Sequence, residues 1–167
     1  MTAQVRERIT IDNFLYGMIS EPLEIYLCKN FYGKLDGVYP RLEEFSTACW
    51  RGYIGHWVIE DNQLYLTNLT NDYHEPVGNY DGIPRIFVRV GDDDLRVMAD
   101  WRKSFFNGIE GNIKADWYSG DLVIEMGEQI EYVHQAYASK YEKYMIMQIE
   151  NGNLISKKIV NEKPRYE

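Results

Sequence analysis

The sequence is poor in the residues that mark the common chemistries. Cysteine occurs only at Cys28 and Cys49, and histidine only at His56, His74 and His134, in 167 residues. Two cysteines without Cys-x-x-Cys spacing exclude a redox dithiol, a zinc ribbon and a disulfide-dense scaffold. Their apolar neighbours, Leu27, Ala48 and Trp50, predict two reduced core thiols. Basic residues are outnumbered, 18 Lys and Arg against 26 Asp and Glu, for a formal net charge of −8. Nucleic acids and anionic membranes are held by positive charge, so neither is an expected partner. Apolar runs are short, well below the roughly 18 residues that span a bilayer. Arg6, Glu7, Arg8 and Asp12 interrupt the region where a secretory signal carries its apolar stretch. The expectation is a cytoplasmic protein. Phosphate-binding glycine loops, His-Glu-x-x-His and Gly-x-Ser-x-Gly are all missing, and His74-Glu75 lacks the second histidine. An enzyme with a common signature is not expected, and neither is a cofactor or a metal.

Aromatic residues are plentiful: 14 Tyr, 6 Phe and 4 Trp. Length and composition predict one β-rich domain over residues 1–160 and a flexible C-terminal tail over 161–167. Gly, Asn and Asp recur at short intervals between alternating segments, as in antiparallel strands joined by tight turns. Four hairpins are expected. One turns at Asp61-Asn62 between Tyr53 and Leu69, and one at Gly91 to Asp94 between Ile83 and Trp101. A third turns at Gly127 between Leu122 and Val133, and a fourth at Asn151-Gly152, a strong two-residue turn signal. Leu23, Ile25 and Leu27 alternate and favour a strand, although Pro22 also suits the first turn of a helix. Ser139-x-x-Glu142 matches a capping box, predicting a helix of one or two turns.

Two short echoes occur. Ile59-Glu60-Asp61-Asn62-Gln63-Leu64 resembles Ile149-Glu150-Asn151-Gly152-Asn153-Leu154, and Ala99-Asp100-Trp101 recurs as Ala115-Asp116-Trp117. Neither has the threefold recurrence of a solenoid. The expected architecture is mainly β, a single antiparallel β-sandwich or barrel-like domain with one or two short helices. The alternative is an α+β fold with a curved antiparallel sheet.

Three functional readings follow. Residues 1–84 hold 6 basic and 12 acidic groups, so the acidic field belongs mainly to the first half. The 14-residue stretch Asn71 to Pro84 has no sustained period, and loops of that length often carry function. Asp72, Tyr73, His74, Glu75, Tyr80 and Asp81 give it carboxylates interleaved with aromatic rings, chemistry that pairs with a basic partner. The first reading is therefore a non-enzymatic binding protein, in its sharpest form an acidic immunity or inhibitor protein that neutralises a cationic nuclease-type toxin. The second is a small-ligand-binding barrel whose pocket is lined by Trp50, Trp57, Trp101 and Trp117. The third is an enzyme without a common signature, with His134 working beside Asp116. Alternation places Glu131 on the opposite face from His134. The triplet Asp92-Asp93-Asp94 lacks calcium-loop spacing and reads as a charged turn.

Overall fold

The computed structural model describes residues 3–32, 40–42, 47–71, 85–90, 93–98 and 100–164; at 40, 41, 85, 87–90 and 93–98 the description covers the backbone. Strands β1 (Glu7–Ile11) and β2 (Phe14–Met18) lead into a helix α1 (Pro22–Leu27), which continues as a π-helical turn over Cys28–Tyr32. After β3 (Pro40–Leu42) come β4 (Ile54–Glu60), β5 (Gln63–Thr70), β6 (Arg85–Val90) and β7 (Asp93–Met98). Helix α2 (Trp101–Phe106) and β8 (Ile113–Lys114) precede three closing strands, β9 (Gly120–Glu131), β10 (Lys140–Glu150) and β11 (Asn153–Val160). Seven strands form a closed barrel in the order β11-β10-β9-β2-β1-β4-β5, with β5 returning to β11. Strand β8 adds to β5, and β3, β6 and β7 make a separate three-stranded sheet whose Leu42 and Ile86 join the main core.

The fold is the mainly β, barrel-like one that the alternation predicts, but the barrel is mixed. Strands β1 and β4 run parallel, with Ile9 beside Trp57. Between β2 and β4 the chain passes through α1 and β3, so it re-enters beside β1 by a crossover, the kind of connection a parallel pair requires.

Three tight turns share one solution. Asp12-Asn13, Asp61-Asn62 and Asn151-Gly152 all hold both central residues at positive φ, the geometry of two-residue hairpins that match strand twist. The last two turns also close the barrel. Gln63 pairs with Asn153, Leu64 N–H donates to Gly152 O at 2.9 Å, and Leu154 N–H donates to Asn62 O at 2.8 Å. These are corresponding positions of the echoed hexapeptides, so the two tips meet about a local twofold axis.

Four local expectations are corrected. Residues 22–27 form a helix, because Pro22 starts it and Leu23 and Leu27, four apart, turn into the core while Ile25 is exposed. Gly127 makes no turn. It sits at φ +74° within the single long strand β9, where register shifts against β10 mark a bulge. Ser139 caps no helix, since β10 begins at Lys140 and the Ser139 hydroxyl accepts from Val133 N–H at 2.9 Å. Of the two cysteines, Cys49 is buried, but Cys28 begins the π-helical turn and faces solvent; both are free thiols.

Apolar side chains of the described residues pack the barrel interior. Ile9, Met18, Trp57, Leu66, Leu122 and Ile124 are all buried in one continuous apolar cluster. A smaller cluster of Val123, Tyr144 and Ile146 lies outside β9 and β10, flanked by Val160. Beyond Asn153 the outer edge of β11 pairs with no other described strand, and exposed Lys157 and Lys158 guard it against edge-to-edge association. No helix among the described residues is long and apolar enough to cross a membrane.

Candidate functional site

Strand alternation at the start of β1 sends Arg6 outward and Glu7 inward. Each finds an opposite charge. Glu7 lies opposite Gly55, the one side chain whose absence makes room for a carboxylate here. A Cβ at Gly55 would stand 2.6 Å from Trp57 Nε1 and 2.7 Å from Glu7 Oε1. Gly55 N–H donates to Glu7 Oε2, and Arg51 Nη2 donates to the same oxygen at 3.3 Å.

Arg51 is delivered by the turn over residues 47–53. The Gln4 side chain pins that turn, donating to Thr47 O at 2.9 Å and accepting from Trp50 N–H at 3.0 Å. Cys49 Sγ donates to Tyr53 O at 3.2 Å. Arg51 then lies 5.5 Å from the Tyr53 ring centroid and donates from Nη1 to Tyr137 Oη at 3.3 Å. Tyr137 Oη donates in turn to Glu21 Oε1 at 2.6 Å. Glu21 occupies the N-cap position of α1 but caps nothing with its side chain; the carboxylate serves this network instead.

On the outer wall Arg6 makes a two-point pair with Glu125, at 2.6 and 3.1 Å. Its guanidinium stands 5.5 Å from the Tyr137 ring centroid and 5.9 Å from that of Tyr141. Lys163 Nζ donates to Tyr137 O. Tyr137 therefore joins the inner pair to the outer one. The first part of the expected tail, Asn161 to Pro164, lies against this wall and lines a cleft in it.

Burial dominates the electrostatics. The Glu7 side chain is fully buried, and desolvation pushes its carboxyl up to about 7 in spite of Arg51 and the Gly55 N–H. Glu24 is also raised by burial, with the Tyr53 hydroxyl pulling the other way. Burial works against the Arg51 charge, yet Glu7 and the neighbouring phenols hold it firmly protonated. Burial pushes the Cys49 thiol up to about 11 and raises the Tyr137 phenol too. Glu7 Oε1, Glu24 Oε1, Arg51 Nε, Tyr53 Oη and Trp57 Nε1 are buried without a hydrogen bond of regular geometry. The Glu21 side chain is 33% exposed. A sealed network of this kind sets stability and its pH dependence.

The sign follows from the raised Glu7 pKa. Folded Glu7 holds its proton more tightly than the unfolded chain, whose value lies near 4.5. Stability from proton uptake is full below 4.5 and is lost as pH rises through about 7. Urea unfolding at pH 5 and pH 8 should show wild type losing about 2–3 kcal/mol more than Glu7→Gln over that interval. Glu24 and Glu125 shift the same way, but they are common to both proteins and cancel.

The other expected site residues are dispersed. Asp72, Tyr73, His74, Glu75, Tyr80 and Asp81 lie outside the described residues. His134 is exposed in the β9–β10 connection, and its hydrogen bond is with Tyr132 Oη at 2.8 Å. Asp116 is exposed after β8, where its charge acts on the Tyr26 phenol. Trp57 faces Glu7 in the barrel core, whereas Trp50 is 46% exposed. Trp101 and Trp117 both pack on Phe106 within one aromatic plug. Trp101 meets Phe106 edge-on at 6.0 Å, and Trp117 meets Tyr26 at 4.8 Å, with Tyr26 stacked on Phe106. None of the four tryptophans lines either of the two clefts on the outer wall.

Two adjoining clefts open on the outer wall instead, sharing Tyr141. One, of about 440 Å³, is lined by Arg6, Arg8, Tyr16 and Glu125 among others; the second, of about 450 Å³, by Tyr144, Lys140 and the Asn161–Pro164 segment. The sequence pattern revealed neither the electrostatic seam formed by Glu7, Arg51, Tyr137, Glu21, Arg6 and Glu125 nor the clefts. The one available signal was the adjacent opposite charges in Arg6-Glu7-Arg8, set on a strand with apolar Ile9 and Ile11. Comparison with family models, curated proteins and solved structures finds no match to this chain.

Proposed function

We propose that this chain is a non-enzymatic binding protein whose acidic exterior docks on a basic protein, in the manner of an immunity or inhibitor protein that neutralises a cationic nuclease-type toxin. The packed barrel interior carries this reading, since it leaves binding to the outer surface. The exterior supports it with exposed Glu60, Asp61 and Glu150 at the two joined hairpin tips, and with Asp116 and Asp121 also exposed. A nuclease presents Lys and Arg to hold nucleic acid, and an acidic surface competes for those groups.

The test is affinity capture from the native cell at low and moderate salt, followed by assay of the captured protein's nuclease activity with and without this chain. A basic protein that is shed as salt rises, and is inhibited in the complex, is the expected outcome. The combined variant Asp72→Lys, Glu75→Lys, Asp81→Lys should weaken that complex at least about tenfold, mainly through slower association, with an unchanged melting temperature. Undiminished binding would remove the 71–84 segment from the interface. A small molecule retained through purification, with no protein captured, would overturn the proposal.

A further inference from the structure

We infer that the turn over residues 47–53 is a pH-sensitive latch, closed over Glu7 while that carboxyl holds its proton and opening from an intact barrel when the proton leaves. Glu7 is fully buried, and its Oε1 has no hydrogen bond of regular geometry. The groups that face it come from four elements. Strand β4 offers Gly55 N–H and Trp57 Nε1, and the start of α1 offers the Glu21 carboxylate. The turn itself offers Arg51, the Cys49 thiol and the Tyr53 phenol, and the β9–β10 connection offers the Tyr137 phenol. Glu24, also from α1, is a third carboxylate under the influence of Arg51.

Three carboxylates thus share one guanidinium. With Glu7 protonated, Arg51 answers Glu21, 3.7 Å away. With Glu7 ionised, a carboxylate cut off from water competes for the same cation and repels Glu21. Burial outweighs Arg51 and the Gly55 N–H, so the closed seam favours the neutral acid. Hydrating the charge requires a neighbouring element to move. Strands β1 and β4 are tied by their ladders, and α1 is anchored by buried Leu23 and Leu27. The turn belongs to no strand or helix. Its ties include the Gln4 side chain, Val5 N–H to Ala48 O at 2.8 Å, and the bonds of Arg51. It is the element that opens at least cost. Opening returns Glu7 to its ordinary proton affinity, so the open state gains population as pH rises.

Cys49 lies buried in the turn and Cys28 faces solvent, so the chain carries both a reporter and a control. The probe is N-ethylmaleimide on the full chain without denaturant, each cysteine being followed separately by peptide mass spectrometry. The Cys49 rate is divided by the Cys28 rate, which removes the thiolate chemistry common to both. Between pH 6 and pH 8 this ratio should rise about tenfold more in wild type than in Glu7→Gln. The rise in wild type is a reading that needs no variant to fold. Low urea should leave the Cys49 rate nearly unchanged, because a local opening exposes little surface. A wild-type ratio that does not rise with pH, or an equal rise in Glu7→Gln, would overturn the inference. So would a Cys49 rate that climbs with urea along the whole-chain unfolding slope.

Discussion

Replacing Arg51 with methionine should destabilise the protein by about 3–5 kcal/mol at pH 8, the usual range when one partner of a buried ion pair is removed. The guanidinium is 4% exposed and is the cation directly bonded to the fully buried Glu7. Methionine fills similar volume and keeps contact with the Tyr53 ring, so the loss is electrostatic rather than a cavity effect. At pH 5 the loss should be clearly smaller, since Glu7 then takes up a proton and no longer needs a counter-charge. The double variant Glu7→Gln, Arg51→Met should recover at least about 2 kcal/mol at pH 8, because the stranded charge is gone. Chemical denaturation of the four proteins at both pH values measures this directly. Equal losses at pH 5 and pH 8 would assign the role of Arg51 to packing.

Gly55→Ala should cost about 3 kcal/mol, at the upper end for an overpacked core. The new methyl group would stand 2.6 Å from Trp57 Nε1 and 2.7 Å from Glu7 Oε1. Neither neighbour can give way, because Trp57 is 2% exposed and Glu7 is held by Arg51 and by the glycine's own N–H. Gly111→Ala is the matched comparison. Gly111 has φ +76° with nothing within 4 Å of a Cβ, so only backbone strain of about 1 kcal/mol is expected. Thermal unfolding of the two variants separates steric exclusion from conformational preference. If both lose the same amount, the close approach at Gly55 is not what fixes the glycine.

What the sequence made legible was local. The turn at Asn151-Gly152 and the alternation around Asp61-Asn62 identify hairpins because their geometry is decided by two adjacent residues. The switch from strand to helix at Pro22 turns on which of Leu23, Ile25 and Leu27 faces the core, and three residues satisfy either period. The bulge at Gly127 looks like a turn because glycine suits both, and only pairing with β10 distinguishes them. The electrostatic seam was illegible for a different reason. Glu7, Arg51, Glu21 and Tyr137 are far apart in the chain and meet only once the barrel has its register. Tryptophans draw attention as binding residues by type alone, yet Trp57 is spent on the core and Trp101 and Trp117 on the plug between α1 and α2. The fold class was readable from periodicity; the candidate site required the third dimension.

The paired hairpin tips have a kinetic consequence. Each hairpin is assembled from neighbouring residues and can form within microseconds, but the Gln63–Asn153 bridge joins the two halves of the chain. Its loop-closure entropy must be met before any closing contact forms. Closure of the ring of strands therefore depends on a contact that neither hairpin can make alone.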